Sequence, residues 1–264
     1  MAKEIKMVYT VCEDAAELAE RAAEYFALRI NEAVKARGIA RVAISGGNTP
    51  RRTFQTLAKH LRASRGIPLE QVQLFWVDER CVPPDNAESN YLMTRETLLD
   101  AIAFPPGNVF RIEGELPPEE AAARYESVIR QQFRLEGAET PRFDVVQLGM
   151  GDDGHTASLF PHTEALHELG RIAVANHVPQ KDAWRVTLTW PVINNGRHVF
   201  FLVEGDKKAP VLADVFLGKY DPESKPAQLI RPRDGVLELL LDKAAAAKLP
   251  PPKQGQVGTL MVSQ

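Results

Sequence analysis

Short apolar, β-branched runs alternate with longer stretches of helical periodicity along this 264-residue chain, and that alternation restricts the fold more than any other feature. Strands are expected at 5–11, 41–45, 72–77, 143–148, 171–175, 185–189, 198–203 and 235–241. Between the first two, Ala15, Ala19, Ala22, Phe26 and Ile30 recur at helical spacing, and Gly38 supplies a C-terminal stop. Further helices are expected at 91–102, 119–133 and 209–217. The run Phe143-Asp-Val-Val-Gln-Leu148 is nearly continuous in apolar residues, which suits a parallel sheet covered on both faces. Right-handed crossovers between such strands produce an open, doubly wound sheet whose ligands lie beyond the carboxyl ends of the strands. The stretches 116–118 and 218–232 read as loops, so residues 1–264 are expected to form a single α/β domain.

Composition narrows the partners. A net charge of −3 argues against bulk attraction to nucleic acid or an anionic membrane, while leaving room for a small basic pocket. Cys12 and Cys81 are too few for a disulfide framework or a cysteine-based zinc site. No apolar stretch approaches the roughly 20 residues that span a bilayer, and residues 1–8 lack the apolar core of a signal peptide. A cytoplasmic location is expected. His60, His162, His167 and His177 follow no metal-ligand spacing, so surface or capping roles are expected for them and no metal is. Trp76, Trp184 and Trp190 are expected in the core.

Four post-strand regions carry polar chemistry. The first is Ser45, Gly46, Gly47, Asn48, Thr49 and Pro50. Its glycines permit close backbone approach, Thr49 can cap, and proline suits the first turn of a helix beginning near Pro50. Free N–H groups there favour an anion such as phosphate; the plain alternative is a tight strand-to-helix turn. The motif is neither a Walker loop nor a dinucleotide fingerprint. In the second, Asp78, Glu79 and Arg80 follow an apolar strand, and Arg80 can orient a carbonyl or phosphate oxygen. A surface salt bridge among the three is the plain alternative there, and Cys81 is expected to be a passive small hydrophobe.

The third region, Gly149-Met-Gly-Asp-Asp-Gly-His-Thr-Ala-Ser-Leu-Phe-Pro161, places His155 close to a strand end among three glycines and two acids. Imidazole suits proton transfer near neutral pH. Asp153 can accept from one ring nitrogen and leave the other as base. Ser158 is expected inside a helix start and lacks the nucleophile elbow. In the fourth, Arg197 follows Asn194-Asn-Gly, and Lys208 opens a helix, where a cation opposes the dipole unless it meets an anion or solvent.

Taken together, Ser45–Pro50, Trp76-Val-Asp-Glu-Arg80 with Val82-Pro83 and Ser89-Asn-Tyr91, Gly149–Pro161 and Gly205–Ala209 resemble the 6-phosphogluconolactonase family, a relative of the glucosamine-6-phosphate deaminases. The matching pieces span about residues 45 to 210 in the family's order, and the last fifty residues match no motif. The resemblance implies a three-layer α/β/α fold with a mostly parallel open sheet of modified Rossmann type and no cofactor. It implies His155 as general base assisted by Asp153, Arg80 near the lactone or phosphate, and residues 46–49 with Lys208, and Arg197 less directly, as phosphate ligands.

The expected partner is a small phosphosugar lactone, with no nucleic acid or membrane, and the chain is expected to be monomeric or weakly self-associating. The deaminases resembled here carry a carboxylate shortly after the Asp-Gly-His unit; this chain has Ser158-Leu-Phe-Pro161, which favours hydrolysis. A deaminase or isomerase, and a non-catalytic sugar-phosphate sensor, are the rival readings.

Overall fold

The computed structural model describes residues 5–63, 67–234, 237–252 and 257–262. The chain begins with β1 (Ile5–Cys12), α1 (Ala15–Arg37), β2 (Ala40–Ile44), α2 (Asn48–Ala63) and β3 (Val72–Trp76). After β4 (Asp78–Arg80), helix α3 (Asn90–Thr94) passes through a π-helical turn at Arg95–Leu99 into α4 (Asp100–Ile102). There follow β5 (Val109–Phe110), α5 (Pro118–Phe133), β6 (Val145–Leu148), β7 (Ala173–Val178), β8 (Ala183–Leu188) and α6 (Trp190–Asn194). The described chain ends with β9 (His198–Val203), α7 (Ala209–Leu217), β10 (Leu237–Asp242) and β11 (Val257–Val262). Gly235, where the sequence starts its last expected strand, lies outside the described residues.

Helix α1 shows how directly local signals set an element. The Asp14 side chain accepts from the N–H groups of Ala16 and Glu17, satisfying first-turn donors. At the other end Gly38, at φ 74°, returns its N–H to the Val34 carbonyl. Leu18, Ala19, Ala22, Phe26 and Ile30 form the buried stripe between these caps.

Eight strands form one sheet in the order β11-β1-β10-β9-β6-β2-β3-β5, parallel throughout except for β11, which runs antiparallel to β1. Neighbouring residues on β9 point to opposite faces, as the strand period of two requires. Phe200 meets Phe26 of α1, and Phe201 meets Phe216 of α7. Phe26 also meets Phe54 of α2, whereas Phe75 of β3 meets Phe133 of α5. Helices therefore cover both faces, giving the three-layer α/β/α architecture. The motif-free tail completes the sheet, since β10 and β11 flank β1 on its two sides.

The structure corrects the parallel assignment for two strands. The runs expected at 171–175 and 185–189 become β7 and β8, which pair antiparallel with each other, and β8 pairs antiparallel with β4 to complete a separate three-stranded sheet. Asp78, Glu79 and Arg80 are thus strand residues rather than a loop. Strand order reverses between β2 and β6: β3 and β5 extend one way, β9 and β10 the other. Such a switch point opens a crevice at the carboxyl ends of the two central strands.

Candidate active site

The switch point is cross-linked before it is used. The Ser45 N–H, at the end of β2, donates to Gln147 Oε1 at 3.0 Å, and Ser45 Oγ donates to the Gln147 carbonyl at 3.0 Å. A cleft of about 410 Å³ opens above this junction. Ser45, Gly46, Gly47, Asn48, Thr49, Arg80, His155 and Lys208 all line it.

Helix α2 begins at Asn48, two residues before the expected start, so Thr49 lies in its first turn and not at a capping position. Gly47 adopts φ 113°, a left-handed conformation disfavoured for other residues. Gly46 carries no side chain because a β-carbon there would stand 1.9 Å from Asn90 Oδ1. Asn90 in turn donates to the Asp78 carbonyl at 3.0 Å, tying the glycine loop to β4. First-turn N–H groups of a helix lack intrahelical acceptors and attract an anion.

The turn after β6 folds onto itself and presents His155. The Gly151 N–H donates to the His155 carbonyl at 2.8 Å, and Thr156 Oγ1 donates to the Gly149 carbonyl at 2.8 Å. Asp153 Oδ1 accepts the His155 backbone N–H at 3.1 Å and lies 2.6 Å from His155 Nδ1. Burial alone would raise the Asp153 carboxyl, but the hydrogen bonds and charge of His155 outweigh it and bring it down to about 2. Asp153 is therefore a carboxylate at neutral pH, the Nδ1 proton points to it, and Nε2 is left as the acceptor nitrogen. Ser158 is not in a helix: it lies in the turn closed by a bridge between Thr156 and Leu159, and its buried hydroxyl donates to Asp78 Oδ2 at 2.7 Å.

The salt bridge considered among Asp78, Glu79 and Arg80 does not form. Glu79 is buried and accepts from the N–H groups of Arg80, Asn90 and Tyr91, each at 2.8 Å, and from Ser89 Oγ at 3.1 Å. It braces the start of α3. Burial raises its carboxyl despite those backbone donors. Arg80 donates to the Glu88 carbonyl and reaches the cleft.

Two cleft cations escaped the sequence reading, Lys181 from the turn that joins β7 to β8 and Arg185 from β8 itself. Arg80 and Arg185 are directly paired in the β4–β8 register. Burial, then the neighbouring Arg80 charge, pushes the Arg185 guanidinium below its usual range. Among the described residues, no carboxylate forms an ion pair with Arg80, Lys181 or Arg185. The available signal was the alternation Arg185-Val-Thr-Leu188, which places Arg185 on the opposite face of its strand from Val186 and Leu188.

Lys208 is the last residue of the 3-10 turn Asp206–Lys208 that leads into α7, and its Nζ lies 2.5 Å from Asp152 Oδ1. Arg197 must be removed from the site. It precedes β9, at the amino end of the sheet, where its Nε stands 3.4 Å from Asp144 Oδ1. A residue at the start of a parallel strand cannot reach a cleft at the other end of that strand. Trp184 is a second correction: it is 42% exposed, in contrast to fully buried Trp76. Burial lifts the Cys81 thiol to about 11, the wrong direction for a nucleophile. Among the described residues, no three His, Cys, Asp or Glu side chains gather where they could hold a metal ion.

Comparison with known proteins bears on the same elements. The family described as glucosamine-6-phosphate isomerases/6-phosphogluconolactonase matches residues 13–239. The 6-phosphogluconolactonase of Synechocystis sp. is 41% identical over 236 residues, covering 89% of this chain and 95% of the relative. That of Nostoc sp. is 38% identical over 247 residues, covering 93% and 99%. The solved 6-phosphogluconolactonase from Trypanosoma cruzi superposes with a TM-score of 0.81 at 32% identity, covering 94% of this chain and 98% of its own.

Proposed function

The chain belongs to the family of glucosamine-6-phosphate isomerases and 6-phosphogluconolactonases, and from that membership we propose that it hydrolyses 6-phospho-D-glucono-1,5-lactone to 6-phosphogluconate, with His155 as general base. This is a step of the oxidative pentose phosphate pathway. The observation that carries the chemical assignment is the 2.6 Å contact between His155 Nδ1 and Asp153, which leaves Nε2 as a base on the cleft wall.

Water attacks C1 of the lactone while Nε2 takes its proton. Negative charge grows on the carbonyl oxygen, and Arg80 with Arg185 beside it supplies donors and positive charge there. Collapse of the tetrahedral intermediate breaks the bond from C1 to the ring oxygen. His155 returns the proton to that oxygen, giving the open chain. Asp153 stabilises the imidazolium in between, as an ionised carboxylate held near a histidine does. The glycine loop at the start of α2 and Lys208 hold the phosphate and so fix the reacting carbon.

No acid of the Ser158–Pro161 segment is available for the additional proton transfers of a deaminase, since Phe160 occupies that place against the imidazole. Among the described residues, no helix is long and apolar enough to cross a membrane; a cytoplasmic, cofactor-free enzyme is the accompanying proposal. The test is formation of 6-phosphogluconate from freshly generated lactone, measured above spontaneous hydrolysis. Release of ammonia from glucosamine 6-phosphate, with no acceleration of lactone opening, would replace this reading with the deaminase one. EDTA is expected to leave the rate unchanged, and loss restored by a divalent ion would overturn the cofactor-free proposal.

A further inference from the structure

We infer that Gly151 and Phe160 are positioning residues that form a slot for the His155 imidazole, an inference that rests on the general-base reading. A β-carbon at position 151 would stand 2.0 Å from His155 Nδ1, 2.1 Å from His155 Cε1 and 2.7 Å from Asp153 Oδ1. Those three nearest atoms all belong to the dyad. Gly151 is not among the glycines with positive φ, so its backbone does not itself demand glycine. What excludes a methyl group is the imidazole and its carboxylate.

Phe160 supplies the other contact. Its ring stacks on the imidazole with centroids 3.9 Å apart and planes inclined by 22°. Phe160 is buried, and both it and Gly151 line the cleft. The two residues bracket the same turn, which the bond from the Gly151 N–H to the His155 carbonyl closes. Three constraints therefore act on one ring. Gly151 admits the Nδ1–Cε1 side, Asp153 holds Nδ1, and Phe160 covers a face. Nε2 is left toward the substrate. A general base works only within hydrogen-bond reach of its proton, and small displacements are costly, so a slot of this kind bears on kcat more than on substrate affinity.

The experiment is a double-mutant cycle on the full chain with Gly151→Ala, His155→Ala and the double variant, reading kcat, KM and Tm for each. Gly151→Ala is expected to lower kcat about 100-fold or more, approaching His155→Ala, with KM held within about threefold. In the His155→Ala background the added methyl group should bring no further loss of kcat, and its Tm penalty should shrink, because the ring it collides with is gone. Phe160→Leu, which keeps apolar bulk and removes the stacking face, should lower kcat with KM unchanged.

Wild-type kcat in Gly151→Ala overturns the slot, as do equal fractional losses in both backgrounds. Unchanged kcat in Phe160→Leu removes Phe160 from it. If His155→Ala alone keeps full activity, the general-base reading falls. The Tm cycle then still decides the slot, since equal penalties in the two backgrounds would mean that Gly151 does not accommodate the imidazole.

Discussion

The two walls of the cleft are built on different terms. On the wall raised by the eight-stranded sheet, three of the polar groups already have partners: His155 lies against Asp153, Lys208 against Asp152, and Ser45 against Gln147. On the wall raised by the three-stranded sheet, Arg80, Lys181 and Arg185 face the cleft with no carboxylate ion pair among the described residues, and two of them are register neighbours. A partnered group is pre-organised before substrate arrives. Adjacent unpaired guanidiniums repel and are relieved when an anion arrives. The first wall is thus suited to chemistry and positioning, the second to meeting charge that appears in the substrate or in its transition state.

The largest effect expected from this division is on the first wall. His155→Ala should lower kcat by about 10²–10⁴-fold, the range for loss of a general base, after subtraction of spontaneous hydrolysis. The imidazole side chain is 26% exposed and sits on a loop, so circular dichroism should report an intact fold. A variant with near wild-type kcat would move the chemistry to the other wall.

The next comparison sets one cation from each wall side by side. Lys208→Ala should lose about 1.5–3 kcal/mol in kcat/KM toward the phosphorylated lactone, roughly ten- to hundred-fold, if its contact is charge-assisted. Toward the unphosphorylated lactone it should lose little. Arg185→Ala should lose activity toward both substrates by similar factors, because charge on the lactone carbonyl develops in either case. If Arg185→Ala discriminates between the lactones and Lys208→Ala does not, the roles of the two walls are exchanged.

The same division marks what was legible from sequence. The glycine loop and the turn around His155 interrupt apolar strands with Gly, Asp and His, so their chemistry is visible locally. The unpaired wall was half hidden. Arg80 stands beside two acids and is conspicuous, but Arg185 sits in a strand-like alternation that any half-buried sheet would show. Its approach to Arg80 depends on antiparallel pairing across about a hundred residues, which local periodicity does not encode. Arg197 failed for a different reason. It borders a strand that does lead to the cleft, but at the wrong end, and Asp144 binds it there. The outer strands β5 and β11 were missed because one is two residues long and the other lies in a Pro- and Gly-rich tail.

A smaller effect should come from Asp152→Asn. Asp152 is an exposed acid that, on the proposed reading, competes with substrate phosphate for Lys208, and exposed pairs of this kind contribute about 0.2–1 kcal/mol. Removing the competitor should lower KM for the phosphorylated lactone by up to about fivefold and leave the unphosphorylated lactone unaffected. A rise in KM would mean that Asp152 positions Lys208 rather than occupying it.

The smallest expected effect concerns how pre-organisation on the first wall depends on pH. Asp153 has its carboxyl brought down from 3.8 to about 2 in the folded chain, in spite of burial, by the hydrogen bonds and charge of His155. A depressed carboxyl stabilises the fold where it is ionised, so its contribution is complete above the unfolded value and disappears as pH falls through the folded one. The window is therefore between about pH 4 and pH 2. Because the side chain is 43% exposed, solvent screening reduces the effect well below what the shift alone implies. Asp153→Asn removes the titration, so the difference in Tm between the two proteins should narrow steadily as pH falls from about 4 toward 2. Other carboxylates titrate in the same window, but they do so in both proteins and leave the difference untouched. A difference that stays constant down to pH 2 would show that the Asp153 carboxylate is not held by His155, and the first wall would then be no more pre-organised than the second.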